Sequence, residues 1–358
     1  MVKTIKLTNF RNFKKKTIDF SQKVTVIVGP NASGKTNILE ALFLLSTGKS
    51  LKASIEEEMV NYEADIARVK GKLEGLALEA VVTRGFLDVG NGNPEKIARK
   101  KLLVGGIPKR LIDFAGNFKT VLFGPWDMDL VTGPPPLRRK FLDTVLSQVD
   151  REYRRAILSY EKGLRQRNRL LFRIREEAVP AGRQGLSRSQ LLFWNQLLIK
   201  NGDYISSKRE ELINFINSKG DLNNTMFEIT YDRSSISEGR LKQYAEEEIA
   251  AGTTLVGPHR DDFLFKIQTN KKETRDLAIY GSRGEQRMGA LWLKLRELAF
   301  IEEKTNEKPT LLLDDILSEL DHDHRKVVLS VIGNQQTIIT TADEHFIKGF
   351  KKVNVIKL

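Results

Sequence analysis

The chain has no cysteine, which excludes a disulfide framework, a thiol nucleophile and any cysteine-based zinc site. Histidine is nearly as scarce, with 4 in 358 residues, so histidine-rich metal chemistry has little to work with. No apolar run approaches the roughly 20 residues that a membrane helix needs. The opening MVKTIKLTNF lacks the apolar core of a signal peptide. Acidic residues are in deficit: 46 Asp and Glu face 59 Lys and Arg, a net charge of +13. These absences point to a cytoplasmic protein with no membrane segment, whose basic surface attracts polyanions, nucleic acid foremost. On charge alone, membrane headgroups and plain solubility stay open.

What is present is more specific. Val24–Val28 is a continuous β-branched run, as expected of a strand buried on both faces. A helix should follow from Gly34 to about Ser46, with Ile38, Leu39, Leu42 and Leu45 inward. Between them lies Gly29-Pro30-Asn31-Ala32-Ser33-Gly34-Lys35-Thr36, a full match to the phosphate-binding loop G-x-x-x-x-G-K-[ST], followed by Asn37. Glycines let the backbone wrap phosphate oxygens, and loop and helix-terminal N–H groups then point at the anion. Lys35 is expected on the β- and γ-phosphates of ATP and Thr36 on Mg²⁺.

Two further segments complete an ATPase reading. Leu311–Asp315 is an apolar strand ending in carboxylates, which would bring Asp314 to the metal and Asp315 to the attacking water as base. Ser282-Arg283-Gly284-Glu285-Gln286 opens a predicted helix over Ser282–Glu303 and is similar to the signature motif of ABC-type ATPases. A serine cap, a glycine and helix N-terminal amides make a second anion cradle, which in that class holds the γ-phosphate bound by the opposite subunit. An ordinary capping box, Ser282 with Glu285, fits the same residues. Ser318-Glu319-Leu320-Asp321 resembles the D-loop of the same class.

Elsewhere the chain alternates. Strands are expected at Lys3–Thr8, Thr17–Phe20, Leu76–Thr83, Lys101–Val104, Thr310–Asp314 and Thr337–Thr340, with a turn at Asn91 and Gly92. A long helix over Asp150–Glu177, a loop near Pro180–Arg188 and a second helix over Ser189–Ser218 read as a helical insertion. The expected domains are 1–140 and 251–358 for an ATP-binding α/β lobe and 141–250 for a helical lobe.

Several segments resemble the RecF family of bacterial recombinational repair proteins. They are Leu7-Thr-Asn-Phe-Arg-Asn-Phe13, Leu122–Val131 with Arg138–Asp143, Tyr160–Asn168, Val256-Gly-Pro-His-Arg-Asp-Asp262 and Asp314–Asp321, in family order along nearly the whole chain. Departures are Trp126 where an acid is usual, Glu285 for a common Gln, and the segment at Pro180–Arg188. Thr341 stands where transporters carry His; the resemblance implies that Thr is normal there, which leaves water activation to Asp315, and Asp is shorter than the Glu of fast ABC ATPases, which points to slow turnover. The resemblance implies an SMC-like ABC ATPase head of the P-loop α/β class with an inserted helical second lobe. It also implies ATP-dependent homodimerisation, binding to duplex DNA and gapped single-strand/double-strand junctions, and action with RecR and RecO to load RecA.

Candidate DNA contacts are Lys14–Lys16, Arg138, Arg139, Lys140, Arg154, Arg155, Arg165, Arg167, Arg169, Arg173 and Arg175, since phosphate contact needs only cations with reach. Arg138 and Arg139 could instead pair with acids. His259 could be functional or pair with Asp261 or Asp262, and His322 and His324 read as D-loop neighbours. Two alternatives share the nucleotide motifs: the ATPase subunit of a transporter, and a scaffold that holds ATP without hydrolysing it.

Overall fold

The computed structural model describes residues 1–87, 95–177, 184–218, 221–222, 225–268, 274–319, 322–343, 345 and 353–358. The chain divides into two compact units, Met1–Asp127 with Glu297–Leu358, and Met128–Arg296.

The first unit holds two large sheets. One is antiparallel, in the order Phe13–Asp19, Val2–Phe10, Ile66–Leu73, Ala77–Thr83, Lys100–Val104, Ile107–Lys109. Its strands alternate: in Ile66–Leu73, Ala67, Val69, Gly71 and Leu73 are buried while Arg68, Lys70 and Lys72 are exposed. That period of two marks a sheet with one covered face and one wet face. The other sheet is parallel, in the order Thr120–Phe123, Thr310–Asp314, Thr337–Thr341, Val24–Val28, Asn354–Lys357. The four strands from Thr120–Phe123 to Val24–Val28 are buried at every residue, as their unbroken apolar and threonine runs require.

The helix Lys35–Thr47 packs against strands of both sheets. Burial extends beyond the expected stripe of Ile38, Leu39, Leu42 and Leu45 to Ala41, Phe43 and Leu44, so this is a core helix rather than a surface one. Leu45 lies so close to the antiparallel sheet that a Cβ at Gly71 would meet its Cδ1 at 2.5 Å. Gln336 ties the ends of this unit together. Its side-chain N–H groups donate to Val2 O (2.7 Å) and Ser21 O (2.9 Å), and its oxygen accepts from Val2 N (2.9 Å) and Thr310 Oγ1 (3.1 Å).

The second unit combines the helices Pro135–Val149, Arg151–Glu177 and Gln184–Asn217 with an antiparallel sheet in the order Asp221–Leu222, Thr225–Asp232, Asp262–Gln268, Thr274–Asp276. The sequence reading divides the chain at 140/141 and 250/251; the compact units meet at 127/128 and 296/297. The difference arises because Thr225–Asp232 and Asp262–Gln268 pair along their full length, which draws the segment after 250 onto the helices before it. The third of these helices begins at Gln184 rather than Ser189, so part of the expected Pro180–Arg188 loop is helical. Asn91, Gly92 and residues 178–183 lie outside the described residues.

A network of buried charged groups lies within this unit's apolar interior. Arg209 donates to Asp143 Oδ1 (2.8 Å), Asp261 Oδ2 (2.9 Å) and Pro258 O (2.7 Å). Asp261 also accepts from Ser234 N and the Tyr231 hydroxyl. His259 does not pair with Asp261 or Asp262. Its Nε2 faces Thr254 O at 3.0 Å, so Nε2 carries the proton and Nδ1 accepts from the Tyr160 hydroxyl at 2.8 Å. Burial pushes the His259 pKa down to about 4, which keeps the ring neutral.

Candidate functional site

All components of the expected nucleotide site in the first unit sit at the carboxyl ends of parallel strands, where ligands bind in open α/β sheets. Val24–Val28 leads into the loop, which is held by Gly29 N donating to Thr341 O (3.3 Å). Gly34 has φ +100° and Ala32 φ +66°, so the chain reverses through the left-handed region to open the helix. A Cβ at Gly34 would meet Phe13 and Asn12 atoms at 2.6–2.7 Å, so only glycine fits. Asn12 braces the loop further, donating from Nδ2 to Ser33 O (3.2 Å) and accepting from Asn37 Nδ2 (2.9 Å).

The loop encloses one side of a cavity of about 300 Å³ lined by Asn31, Ala32, Gly34, Lys35, Thr36, Asn37, Lys52, Asp314 and Asp315. Lys35 is buried, and its ammonium donates to Gly29 O (2.6 Å) and Pro30 O (3.0 Å). The Thr36 hydroxyl donates to Asp314 Oδ2 at 2.7 Å, and the Thr340 hydroxyl donates to Asp314 Oδ1 at 2.6 Å. Residues 278 apart in sequence thus meet at one carboxylate. Asp315 turns through φ +49° with its N–H donating to Thr340 O at 3.1 Å, a left-handed conformation that aspartate tolerates better than most residues.

The chemistry of these groups suits a triphosphate with a hard divalent cation. Ser33 Oγ is buried without a hydrogen-bond partner, an orphaned group in the wall of an anion cradle. The oxygens of Thr36 and Asp314 are the donors Mg²⁺ prefers. Sequence reading missed Lys52. It follows the helix by a few residues in no recognisable motif, yet it lines the cavity, and its ammonium stands 5.6 Å from the centroid of the half-buried Trp126 ring. Trp126, the departure from the usual acid, thus has a cationic neighbour. Asp127 beside it caps the turn by accepting from Gly124 N at 2.8 Å.

In the second unit, Ser282–Gln286 forms a capping box at the head of the helix Arg283–Thr305. Glu285 accepts from Ser282 N (2.7 Å), and Ser282 Oγ accepts from Glu285 N (3.3 Å). Arg275 holds Glu285 at 2.6 Å, and Gln286 Nε2 donates to Gly281 O (3.2 Å). A Cβ on Gly284 would meet nothing within 4 Å, which leaves the helix mouth open. Of the D-loop residues, Ser318 and Glu319 end the short helix Ile316–Glu319, whereas Leu320 and Asp321 lie outside the described residues.

The expected DNA contacts divide sharply. Arg138 is buried and forms a bidentate pair with Asp262 (2.6 and 2.8 Å) while donating to Gly133 O. Arg167 is buried on Glu248 (2.6 Å), Thr254 and Asn195. Neither guanidinium is available to phosphate, and both correct the sequence expectation: cationic character is visible in sequence, whereas the acids that capture it come from Asp262 and Glu248, far along the chain. Arg139 donates to Asp261 O (2.8 Å), and its pKa is lowered by burial. Arg154 donates to Ser147 O (2.6 Å), and Arg155 pairs with Glu152 on the surface. Arg165 is exposed.

The chain has clear relatives among known proteins. A family profile described as the RecF/RecN/SMC N terminal domain matches residues 1–83. The DNA replication and repair protein RecF of Lachnoclostridium phytofermentans is 36% identical over 98% of this chain and 95% of its own. That of Herpetosiphon aurantiacus is 35% identical over 96% and 93%. A solved structure of the recombination mediator protein RecF with ATPrS, in the RecFOR pathway, superposes with a TM-score of 0.81 at 33% identity, covering 96% of this chain and 93% of that one. The Smc head domain of Pyrococcus furiosus, at 16% identity and a TM-score of 0.52, shares the fold. Among the described residues no helix is long and apolar enough to cross a membrane. The chain belongs to the RecF family of DNA replication and repair proteins, ATPases built on the SMC-type head.

Proposed function

We propose that this chain binds ATP with Mg²⁺ at Gly29–Asn37, pairs with a second copy when ATP is bound, and so governs its grip on duplex and gapped DNA during recombinase loading. The observation that carries this reading is the hydrogen bond from Thr36 to Asp314 in the cavity that also holds Lys35. In this assignment Lys35 leaves the loop carbonyls for the β- and γ-phosphates. Thr36 and Asp314 hold the cation, which neutralises charge on the phosphate oxygens when bound. Asp315 orients and deprotonates the attacking water, and Ser282–Gln286 receive the γ-phosphate bound by the other copy. The D-loop Ser318–Asp321 belongs to the same pairing. The solved RecF structure described in the RecFOR pathway supports RecR- and RecO-type partners.

The test is binding of a gapped duplex across a salt series, with and without ATP–Mg²⁺, alongside Lys35→Ala. ATP should tighten binding, Lys35→Ala should abolish that gain, and affinity should fall steeply with salt. Binding that ignores ATP would refute nucleotide control of DNA. ATP held without phosphate release would leave a scaffold in place of an ATPase.

A further inference from the structure

With Arg138 and Arg167 committed to internal acids, charge for a DNA contact is sought on exposed surfaces. The exposed face of the antiparallel sheet supplies it. Residues of one face are fixed by register. Lys15 on Phe13–Asp19 pairs Thr8 on Val2–Phe10, which pairs Arg68, which pairs Val81, which pairs Lys101. The adjacent row runs Thr17, Lys6, Lys70, Glu79. Lys72, two residues beyond Lys70, continues the same face. Lys6, Lys15, Arg68, Lys70, Lys72 and Lys101 are all exposed, while the intervening Ile5, Leu7, Val69, Ala80 and Leu102 are buried.

A solvated sheet face normally mixes charges. Here the opposing acids are Glu79, which Arg68 approaches at 3.1 Å and Lys70 at 4.0 Å, and, one row further on, Asp19, which accepts from Thr4. Lys6 and Lys70 stand directly opposite each other, a like-charge pair that costs a sheet stability. From Lys15 to Lys101 the row crosses four strand spacings, about 19 Å. That breadth suits a polyanion lying across the strands.

We infer that this sheet face is a duplex-DNA contact, tracking the phosphate backbone through Lys6, Lys15, Lys70, Lys72 and Lys101. The inference rests on the DNA-binding function proposed above. It commits to nucleic acid rather than an anionic membrane because the family replicates and repairs DNA.

The test compares wild type with Lys6→Gln/Lys70→Gln/Lys101→Gln and with a control of equal charge change, Lys162→Gln/Lys200→Gln/Lys242→Gln, on a short labelled duplex through a salt series. These side chains project from exposed positions, and removing the Lys6–Lys70 repulsion should not harm folding. The sheet variant should lose affinity on the order of a hundredfold near 0.15 M salt, with its log–log salt slope reduced by about 2.7, while ATP affinity stays unchanged. The control should retain most of its affinity. Equal losses in both variants, or an undiminished slope in the sheet variant, would overturn the inference. A wild type that binds no duplex would instead remove the DNA-binding function itself. Binding to phosphatidylserine vesicles that is lost in the sheet variant alone would reassign the face to membrane and overturn the proposal.

Discussion

Replacing Thr340 with valine isolates one hydrogen bond beneath the proposed metal site. The side chain is 1% exposed, and valine keeps its branched shape. What disappears is the hydroxyl that donates to Asp314 Oδ1 at 2.6 Å. The Asp315 amide, which also leans on that hydroxyl at 3.2 Å, keeps Thr340 O as acceptor at 3.1 Å, so no buried donor is orphaned. A hydrogen bond to a charged group contributes about 1.5–3 kcal/mol. Part of that appears as lost folding stability and part as a carboxylate free to turn away from the Thr36 hydroxyl. Loss of such an outer partner lowers metal affinity about 10–100-fold. Titration of Mg²⁺ against a fixed concentration of fluorescent ATP analogue reads this directly. The midpoint should rise by that factor in Thr340→Val and return towards wild type in Thr340→Ser. Nucleotide binding without the cation should be unaffected. A folded Thr340→Val protein with an unmoved Mg²⁺ midpoint would refute the idea that Thr340 orients Asp314.

Other consequences can be measured independently. Asp315→Asn keeps a residue that adopts φ +49° readily, so the fold should hold while phosphate release falls on the order of a hundredfold or more and ATP-bound dimer accumulates; unchanged turnover would remove Asp315 from water activation. Arg167→Leu strands the buried Glu248 with little beyond the Leu255 amide for compensation and should cost about 3–5 kcal/mol in urea unfolding. A loss near zero would mean that the buried Arg167–Glu248 pair adds nothing net to stability. His259 binds its proton less readily in the folded chain (about 4) than at its ordinary 6.5. The unfolded chain therefore takes up more protons across that window, and stability should decline as pH falls from about 6.5 towards 4. His259→Gln should flatten this part of the profile, and an identical slope in the variant would assign it to other groups.

Much of the candidate site was legible because its parts are local. Gly29–Thr36 carries its own geometry, and Leu311–Asp315 announces a buried strand ending in acid. Their meeting at 2.7 Å could be expected only from the shared mechanism. Lys52 was illegible because nothing within its own segment distinguishes it from an exposed lysine; its place in the cavity depends on how the chain turns after Thr47. The cations of Arg151–Glu177 misled for the converse reason. A helix lists its charges in order, but whether Arg167 faces water or Glu248 is set by a partner helix some 80 residues away. Thr225–Asp232 does alternate, with Phe227 and Ile229 inward. Its short pattern yielded to the long helices around it, and the sheet it builds with Asp262–Gln268 moved the unit boundary.

The strand order of the parallel sheet has a consequence for synthesis. Val24–Val28, which carries the phosphate loop, hydrogen-bonds on one side to Thr337–Thr341 and on the other to Asn354–Lys357. Among the described residues Thr120–Phe123 pairs only with Thr310–Asp314. While a ribosome is still making the middle of the protein, the loop has its full sequence but no sheet to stand on, and two apolar strands wait with open edges. Such segments are where nascent chains aggregate or attract chaperones. A chain stopped early would display the whole ATP motif and be unable to use it. The late strands therefore act as a check on synthesis: only molecules that include Thr310–Asp314, Thr337–Thr341 and Asn354–Lys357 complete the sheet on which the phosphate loop stands.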